Sequence, residues 1–324
     1  MKNKQRLILR NKLLVIVGVT GMGKTKLALY LAQKFNGEII SADSRQVYKY
    51  MDIGTGKEWG SIHIHGYGLV DPRENYSVYD FFKFGKATIE NIWSRNKLPI
   101  LAGGTGLYIK SIVDGIQTID IPKNDNLRIE LEKLSTKELF EKLAILDSSK
   151  AASMNLSDKN NPRRLIRAIE IATWNIENGV SYKEIEKRKE VLNKNVSVLI
   201  IGLTAPIERI NQRIEKRIEE RLNNGFIDEI ENLLKMGVSW KNQSLKSIGY
   251  KEAEEFLKKG LGFEEFIEKW IKSETDYAKR QITWFKKNKK ILWFDIYNRN
   301  YPKDVESVVN KWYYSNINTD DEKG

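Results

Sequence analysis

The sequence predicts an α/β fold: a P-loop-type parallel sheet core, an inserted all-helical domain and C-terminal helices. Three observations carry that expectation. Leu13–Ala32 reads as an apolar strand, a glycine turn and an amphipathic helix, and Pro99–Tyr108 repeats the same succession. From about residue 122 to 188 strand signals vanish and polar amphipathic helices take over. A β-branched, buried-type strand then returns at Val196–Leu203.

The first junction is the most specific. Gly18-x-x-x-x-Gly23-Lys24-Thr25 is a full Walker A match in the strand–loop–helix setting that gives the motif meaning. Its glycines let the backbone curl so that successive N–H groups form an anion nest, and the helix N-terminus adds the positive end of its dipole. Lys24 supplies a mobile charge, and Thr25 can hold a Mg²⁺ that bridges two phosphates. The candidate diphosphate-binding residues are therefore Gly18, Thr20, Gly21, Met22, Gly23, Lys24 and Thr25. The motif implies a ligand with linked phosphates and leaves its identity open.

Composition narrows the classes. The 324 residues suit one large domain or two ordinary ones, and a 41% hydrophobic content is ample for a core. A net charge of +12 beside a phosphate loop points to a polyanionic partner. The absence of cysteine excludes disulfides, a thiolate nucleophile and cysteine-based zinc sites. The basic N-terminal stretch before Leu13 superficially resembles a signal peptide, but its apolar run is the Walker strand and lacks a small-residue cleavage site. With no 18-residue apolar segment, a soluble, cytoplasmic, monomeric protein is expected.

In chain order, residues 1–12 form a basic lead-in. The apolar pair between Gly37 and Asp43 reads as a short strand, which places Asp43 and Ser44 on the Walker rim, because ligands of open α/β sheets sit beyond the carboxyl ends of the strands. Met51–Lys57 is a glycine-punctuated loop. His63 and His65 alternate with Ile62 and Ile64 as one face of a strand, with no third metal ligand in view. Gly68–Val70 reads as the end of another short strand. Tyr79–Arg95 is a helix with Phe82, Ile89 and Trp93 on its apolar side. Pro99–Ala102 is a buried strand, and Gly103-Gly104-Thr105 turns from it on the same rim.

Within the helical stretch, helices are expected at Leu127–Leu134, Thr136–Leu146 and Asn161–Asn178. Pro162 suits a first turn. Arg163, Arg164 and Arg167 share one side, while Leu165, Ile166 and Ile169 face inward. That basic side is either a contact surface or a solvated face. Val196–Leu203 should rejoin the first sheet, giving a core of 1–121 with 191–314, an insertion at 122–190 and a disordered tail at 315–324. Ile207–Leu222 carries Arg213, Arg217 and Arg221 on one face, able to clamp phosphate or simply to be solvated. Asn224-Gly225 stops that helix. Ser247–Lys251 turns into another. Between Lys272 and Lys290, basic residues interleave with Tyr277, Trp284 and Phe285, a pattern that fits either nucleic-acid contact or core.

No Walker B acid follows an apolar strand, and no compact arginine-rich lid stands out. Asp43 and Asp71 are the only acids at expected strand ends. A loop that holds diphosphate as a leaving group fits this better than one that transfers a phosphoryl group. Several stretches then converge: Gly18–Thr25, Ser41–Lys57, Asp71-Pro72 with Tyr76–Phe81, Gly103–Tyr108, Asn161–Glu170, Ser247–Lys251 and Ala278–Phe285. Collinear from about residue 13 to 295, they resemble tRNA dimethylallyltransferases.

The resemblance implies a P-loop-related core, a helical insertion, C-terminal helices that grip the anticodon stem-loop, and three ligands: dimethylallyl diphosphate, Mg²⁺ and tRNA. It implies alkyl transfer to N6 of adenosine 37 in tRNAs that read codons beginning with U. The catalytic residues it implies are Asp43 as base, Thr105, Lys24 and Arg217, with Thr25 on Mg²⁺. The tRNA-binding residues it implies are Asp43, Ser44, Arg45, Gln46, Thr105, Arg128, Arg163, Arg164, Arg167, Lys246, Gly249, Tyr250, Lys251, Arg280 and Gln281. Other classes stay open on the residues alone: a P-loop small-molecule kinase, an isopentenyltransferase of free adenine nucleotides, and an RNA-binding protein with a relic phosphate loop.

Overall fold

The computed structural model describes residues 12–60, 62–180 and 196–315. The chain divides into two compact units, Met1–Val113 with Leu192–Gly324, and Asp114–Val191.

The first unit is built on one six-stranded sheet in which every pairing is parallel. Its strands are β1 (Lys12–Gly18), β2 (Gly37–Ser41), β3 (Ile64–His65), β4 (Leu98–Ala102), β5 (Ser197–Thr204) and β6 (Ile291–Asp295), in the spatial order β3-β2-β4-β1-β5-β6. A central parallel strand is covered on both faces, which is why β1 is one continuous apolar run after Lys12 and buried throughout. The register sets Ile16 beside Ala102 and Ser41 beside Ala102, so the carboxyl ends of β1, β2 and β4 form one edge. Helices α1 (Lys24–Lys34), α2 (Val78–Ser94) and α3 (Gly106–Val113) follow β1, β3 and β4. The α2 terminus is fixed by a reciprocal capping box between Ser77 and Asp80, and Phe82, Ile89 and Trp93 turn inward as expected.

The sheet departs from expectation at its margins. Lys12 belongs to β1 rather than to a basic lead-in: it is fully buried, and its amine donates to the carbonyls of Trp312 and Ser315. The histidine strand shrinks to Ile64–His65, and Gly68–Val70 forms only an isolated bridge between Tyr48 and Val70. Strand β6, ILWFD, pairs with β5 although the sequence gives it no turn signal of its own. Its Asp295 is a third acid at a strand end, and it is spent capping its own turn through Tyr297 N–H.

The second unit is all-helical among the described residues: α4 (Asp125–Leu131), α5 (Thr136–Leu146), α6 (Ser148–Ser153), α7 (Leu156–Lys159) and α8 (Pro162–Asn178). Ser135 and Glu138 cap α5 reciprocally, while Asn161 caps α8 with Pro162 in its first turn. The core joins Leu131, Leu139, Leu143, Met154, Leu165 and Ile169. Its boundary falls at 114 rather than 122, because Arg167 donates to the carbonyls of Thr118 and Ile121 and binds that stretch to α8. Residues 181–190 of the expected insertion and 316–324 of the expected tail lie outside the described residues.

The remaining helices return to the first unit: α9 (Ile207–Asn223), α10 (Phe226–Lys235), α11 (Tyr250–Lys259), α12 (Phe263–Lys286) and α13 (Lys303–Tyr314), with a short 3₁₀ turn at Ser244–Lys246.

Candidate active site

Where β1, β2 and β4 end, their loops interlock. Ala42 N–H donates to Ala102 O at 2.8 Å, Thr105 N–H to Ala42 O at 3.1 Å, and Gly103 N–H to Ile16 O at 3.0 Å. The approach is so close that a Cβ on Gly103 would stand 2.2 Å from Ala42 O, which only glycine avoids. Above this edge opens a cavity of about 400 Å³. Its lining brings together Thr20, Lys24 and Thr25 of the Walker loop, Asp43, Gly103-Gly104, Arg213 and Arg217 of α9, and Tyr277 of α12.

The arginine row on α9 closes over the Walker loop. Arg213 Nε donates to Gly21 O at 2.7 Å, and Arg217 Nη1 donates to Thr20 Oγ1 at 2.7 Å. Arg221, the third of the row, is buried and paired with Glu274 of α12 at 3.0 Å. These cations crowd one another. Arg221 beside it, and then burial, bring Arg217 down to about 10. Burial, with Arg217 adding to it, brings Lys24 down to about 8, while Asp43 and Glu274 act the other way. Lys24 meanwhile donates to Val19 O at 2.7 Å. The cavity is therefore a concentrated, partly desolvated positive field, which an anion with several charges would relieve.

The cavity also carries an acid. Asp43 Oδ1 accepts from Arg45 N–H at 2.9 Å, an Asx turn that fixes the carboxylate at the rim. Thr105 Oγ1 accepts from Ser44 N–H at 3.0 Å, so the β2 and β4 loops meet on one threonine.

Oxygen donors suit a hard divalent cation. Thr25 and the carboxylates of Asp43 and Glu58 line the same cavity. No cluster of three or more His, Cys, Asp or Glu that could hold a metal occurs among the described residues.

Several expected contact residues also make contacts within the chain, and two of them, Gln46 and Gln281, line the cavity. Gln46 is buried; its amide donates to Thr55 O and Gly56 O and accepts from Ser41 Oγ at 2.6 Å, so its edge is spent. Gln281 accepts from Thr20 N–H at 2.9 Å and donates to Gly104 O at 3.0 Å, stapling the Walker loop to the Gly-Gly-Thr turn. Tyr250 is fully buried with its hydroxyl on Glu229, and a Cβ on Gly249 would stand 2.7 Å from Trp270. The side chain of Met22 faces the core, and Gly18 packs against Leu203. Arg45 donates to Gln243 O at 3.1 Å. Lys246, Lys251 and Arg280 are exposed, Arg280 lying over the Tyr277 ring. In the second unit, Arg128 grips buried Glu170 with two bonds of 2.6 Å, Arg167 also reaches Glu170, and Arg164 pairs with Asp158. Arg163 is exposed.

Sequence reasoning missed Glu58, Tyr67 and Glu274. Glu58 directly follows the glycine loop and lines the cavity. Burial chiefly pushes the Tyr67 hydroxyl up to about 12, with Glu58 and Asp43 as acids acting on it. Glu274 lies seven residues before Gln281 on α12, hence on the same helix face, the one signal that could have found it.

Known proteins resemble this chain over most of its length. The family model described as IPP transferase matches residues 46–288, and one described as isopentenyl transferase matches residues 11–61. A tRNA dimethylallyltransferase of Finegoldia magna is 39% identical over 315 residues, covering 94% of this chain and 99% of its own. The full-length tRNA isopentenylpyrophosphate transferase of Bacillus halodurans superposes with a TM-score of 0.67 at 35% identity, covering 93% of this chain and 95% of that one. A eukaryotic dimethylallyltransferase acting on tRNA superposes with a TM-score of 0.80 at 28% identity, over 93% of this chain and 79% of that one.

Proposed function

The chain belongs to the IPP transferase family, and on that basis we propose that it transfers a dimethylallyl group from dimethylallyl diphosphate to N6 of adenosine 37 in tRNAs that read codons beginning with U. One observation supports this above the rest: Asp43, the Walker residues Lys24 and Thr25, and Arg213 and Arg217 line one cavity. The exocyclic amine is a weak nucleophile, because its lone pair is delocalised into the ring. In the reaction N6 bonds to the allylic C1, the C1–O bond breaks with its electron pair leaving on diphosphate, and Asp43 takes the N6 proton. Charge accumulates on the departing oxygens. The Walker N–H groups, Lys24, Arg213 and Arg217 stabilise it. Thr105 holds Ser44, and with it the Asp43 segment, in line with the clamp. A Mg²⁺ held by Thr25 would add charge stabilisation on the diphosphate when bound.

The target adenosine must leave its stack to enter the cavity, and the flipped base is the reading that suits an enclosed acid. Exposed Lys246, Lys251, Arg280 and Arg163 are suited to the RNA backbone. The anticodon stem-loop is the proposed partner, the cytoplasm the proposed location and a monomer the proposed state. No described helix is long and apolar enough to cross a membrane.

The test mixes purified protein, Mg²⁺, dimethylallyl diphosphate and unmodified tRNA, then weighs the digested nucleosides. Prenylated adenosine is expected from tRNA and not from AMP in a parallel tube. Asp43→Ala should lower the yield by roughly 10²–10⁴-fold. Product from AMP moves the chain to the free-nucleotide class. ATP consumption without product revives a kinase.

A further inference from the structure

Glu229 on α10 is a buried carboxylate that the proposed reaction does not use. Both of its oxygens serve one loop. Oε2 accepts from Asp52 N–H at 2.6 Å and Ile53 N–H at 2.7 Å, while Oε1 accepts from Gly54 N–H at 3.0 Å and from the Tyr250 hydroxyl at 2.6 Å. Three successive backbone N–H groups converging on one anion form a nest, and here the chain supplies the anion itself. The loop presses hard on this brace: a Cβ on Gly54 would stand 2.4 Å from both Phe226 and Tyr250.

From the far side of the loop, two connections reach the cavity. Gln46 donates to Thr55 O and Gly56 O and accepts from Ser41, which fixes the segment that presents Asp43. Arg217 lies directly over Gly56, where a Cβ would stand 2.3 Å from Nη2, and from there donates to Thr20 on the Walker loop.

We infer that Glu229 is a positioning residue for the diphosphate clamp: by holding Asp52–Gly54 it sets the height of Gly56, and so the place of Arg217 over the Walker loop, with Tyr250 orienting the carboxylate. The inference rests on the proposed function and deepens it. It distinguishes Glu229 from a residue that merely stabilises the fold, because its influence on ligand binding must pass through Arg217.

The experiment is a double-mutant cycle read by titration calorimetry with inorganic diphosphate and Mg²⁺ on the full chain. Glu229→Gln keeps the shape but turns one acceptor into an NH₂ facing N–H donors. It should weaken diphosphate binding on the order of tenfold, as expected of residues sharing one network. Added to Arg217→Gln, the same change should cost less than about twofold. An equal loss in both backgrounds, or an unchanged Kd with a lowered Tm, overturns the inference. Should Glu229→Gln not fold, Tyr250→Phe, which leaves the three N–H bonds in place, is carried through the same cycle. Its loss should be smaller and should likewise vanish in the Arg217→Gln background; an equal loss there overturns the inference. A wild-type chain that does not bind diphosphate sinks the proposed function and this inference together. A wild type that binds, with variants that bind equally well, sinks only the inference.

Discussion

Helix-borne arginines meet opposite fates in the two units. On α9, Arg213 and Arg217 reach the Walker loop with single hydrogen bonds, and the rest of each guanidinium faces the cavity. In the helical unit, Arg128 and Arg167 converge on the buried carboxylate of Glu170, and Arg167 closes two backbone carbonyls as well. The first pair is a field held ready for a ligand, and the second is a brace already saturated. The difference lies in the counter-charge: Glu170 meets its arginines directly, whereas Glu274 pairs with Arg221 and acts on Arg217 and Lys24, as Asp43 does, only as a neighbouring charge. The same residue type therefore makes a candidate clamp in one place and a staple in the other.

The contrast can be tested directly, and the largest effect is expected at the clamp. Arg217→Gln should lower kcat/KM for the prenyl donor by about 10²–10³-fold with little change in Tm, since it removes charge aimed at the leaving group. A loss confined to Tm would erase the distinction between the units. Next comes the brace. Arg128→Gln leaves a buried carboxylate short of a partner and should destabilise the chain by about 3 kcal/mol in denaturant unfolding. Activity per folded molecule should fall far less than in Arg217→Gln, and a comparable fall would make Arg128 part of the reaction machinery.

The third effect is a pH dependence. Lys24 is held near pH 8, and a bound anion favours its charged form, so binding takes up a proton above that pH. Each unit above about 8 should then weaken diphosphate binding by up to about tenfold. Lys24→Arg stays charged and should lose that component, leaving the ligand's own titration, which both proteins share. A last, smaller effect lies away from both regions. Arg95, joined by Lys97 and His65, holds Glu38 down to about 2 from an ordinary 4.5. Its contribution is present above the unfolded value and lost as pH falls from about 4.5 towards 2. Glu38→Gln should flatten acid unfolding over that window and leave neutral activity unchanged.

Legibility from sequence followed locality. The Walker loop, the strand ends at Asp43 and Thr105 and helix α5 could be read because a few neighbouring residues determine each. The capping boxes, the glycines and the 3.6 periodicity all act within a turn or two of chain. What could not be read was partnership. Nothing in the neighbourhood of Gln281 tells that it will staple Thr20 to Gly104, or in that of Tyr250 that its hydroxyl will close on Glu229. Both were expected to face RNA, since a polar or aromatic side chain in a distinctive motif reads the same whether it points outward or inward. Strand β6 was missed for a related reason: ILWFD has no alternation and no turn signal, and its strand character comes from the edge that β5 offers it.

Most elements, their parallel arrangement and the phosphate chemistry of the first junction were already written in the chain, because local sterics and hydrophobic period suffice for these. Which charges stay free was settled only by long-range packing. A guanidinium is committed or available according to whether a carboxylate from a distant part of the chain reaches it, and burial decides how much that meeting is worth. Glu170 reaches Arg128 across 42 residues and saturates it; Glu274 reaches Arg221 across 53 and leaves Arg217 to the cavity.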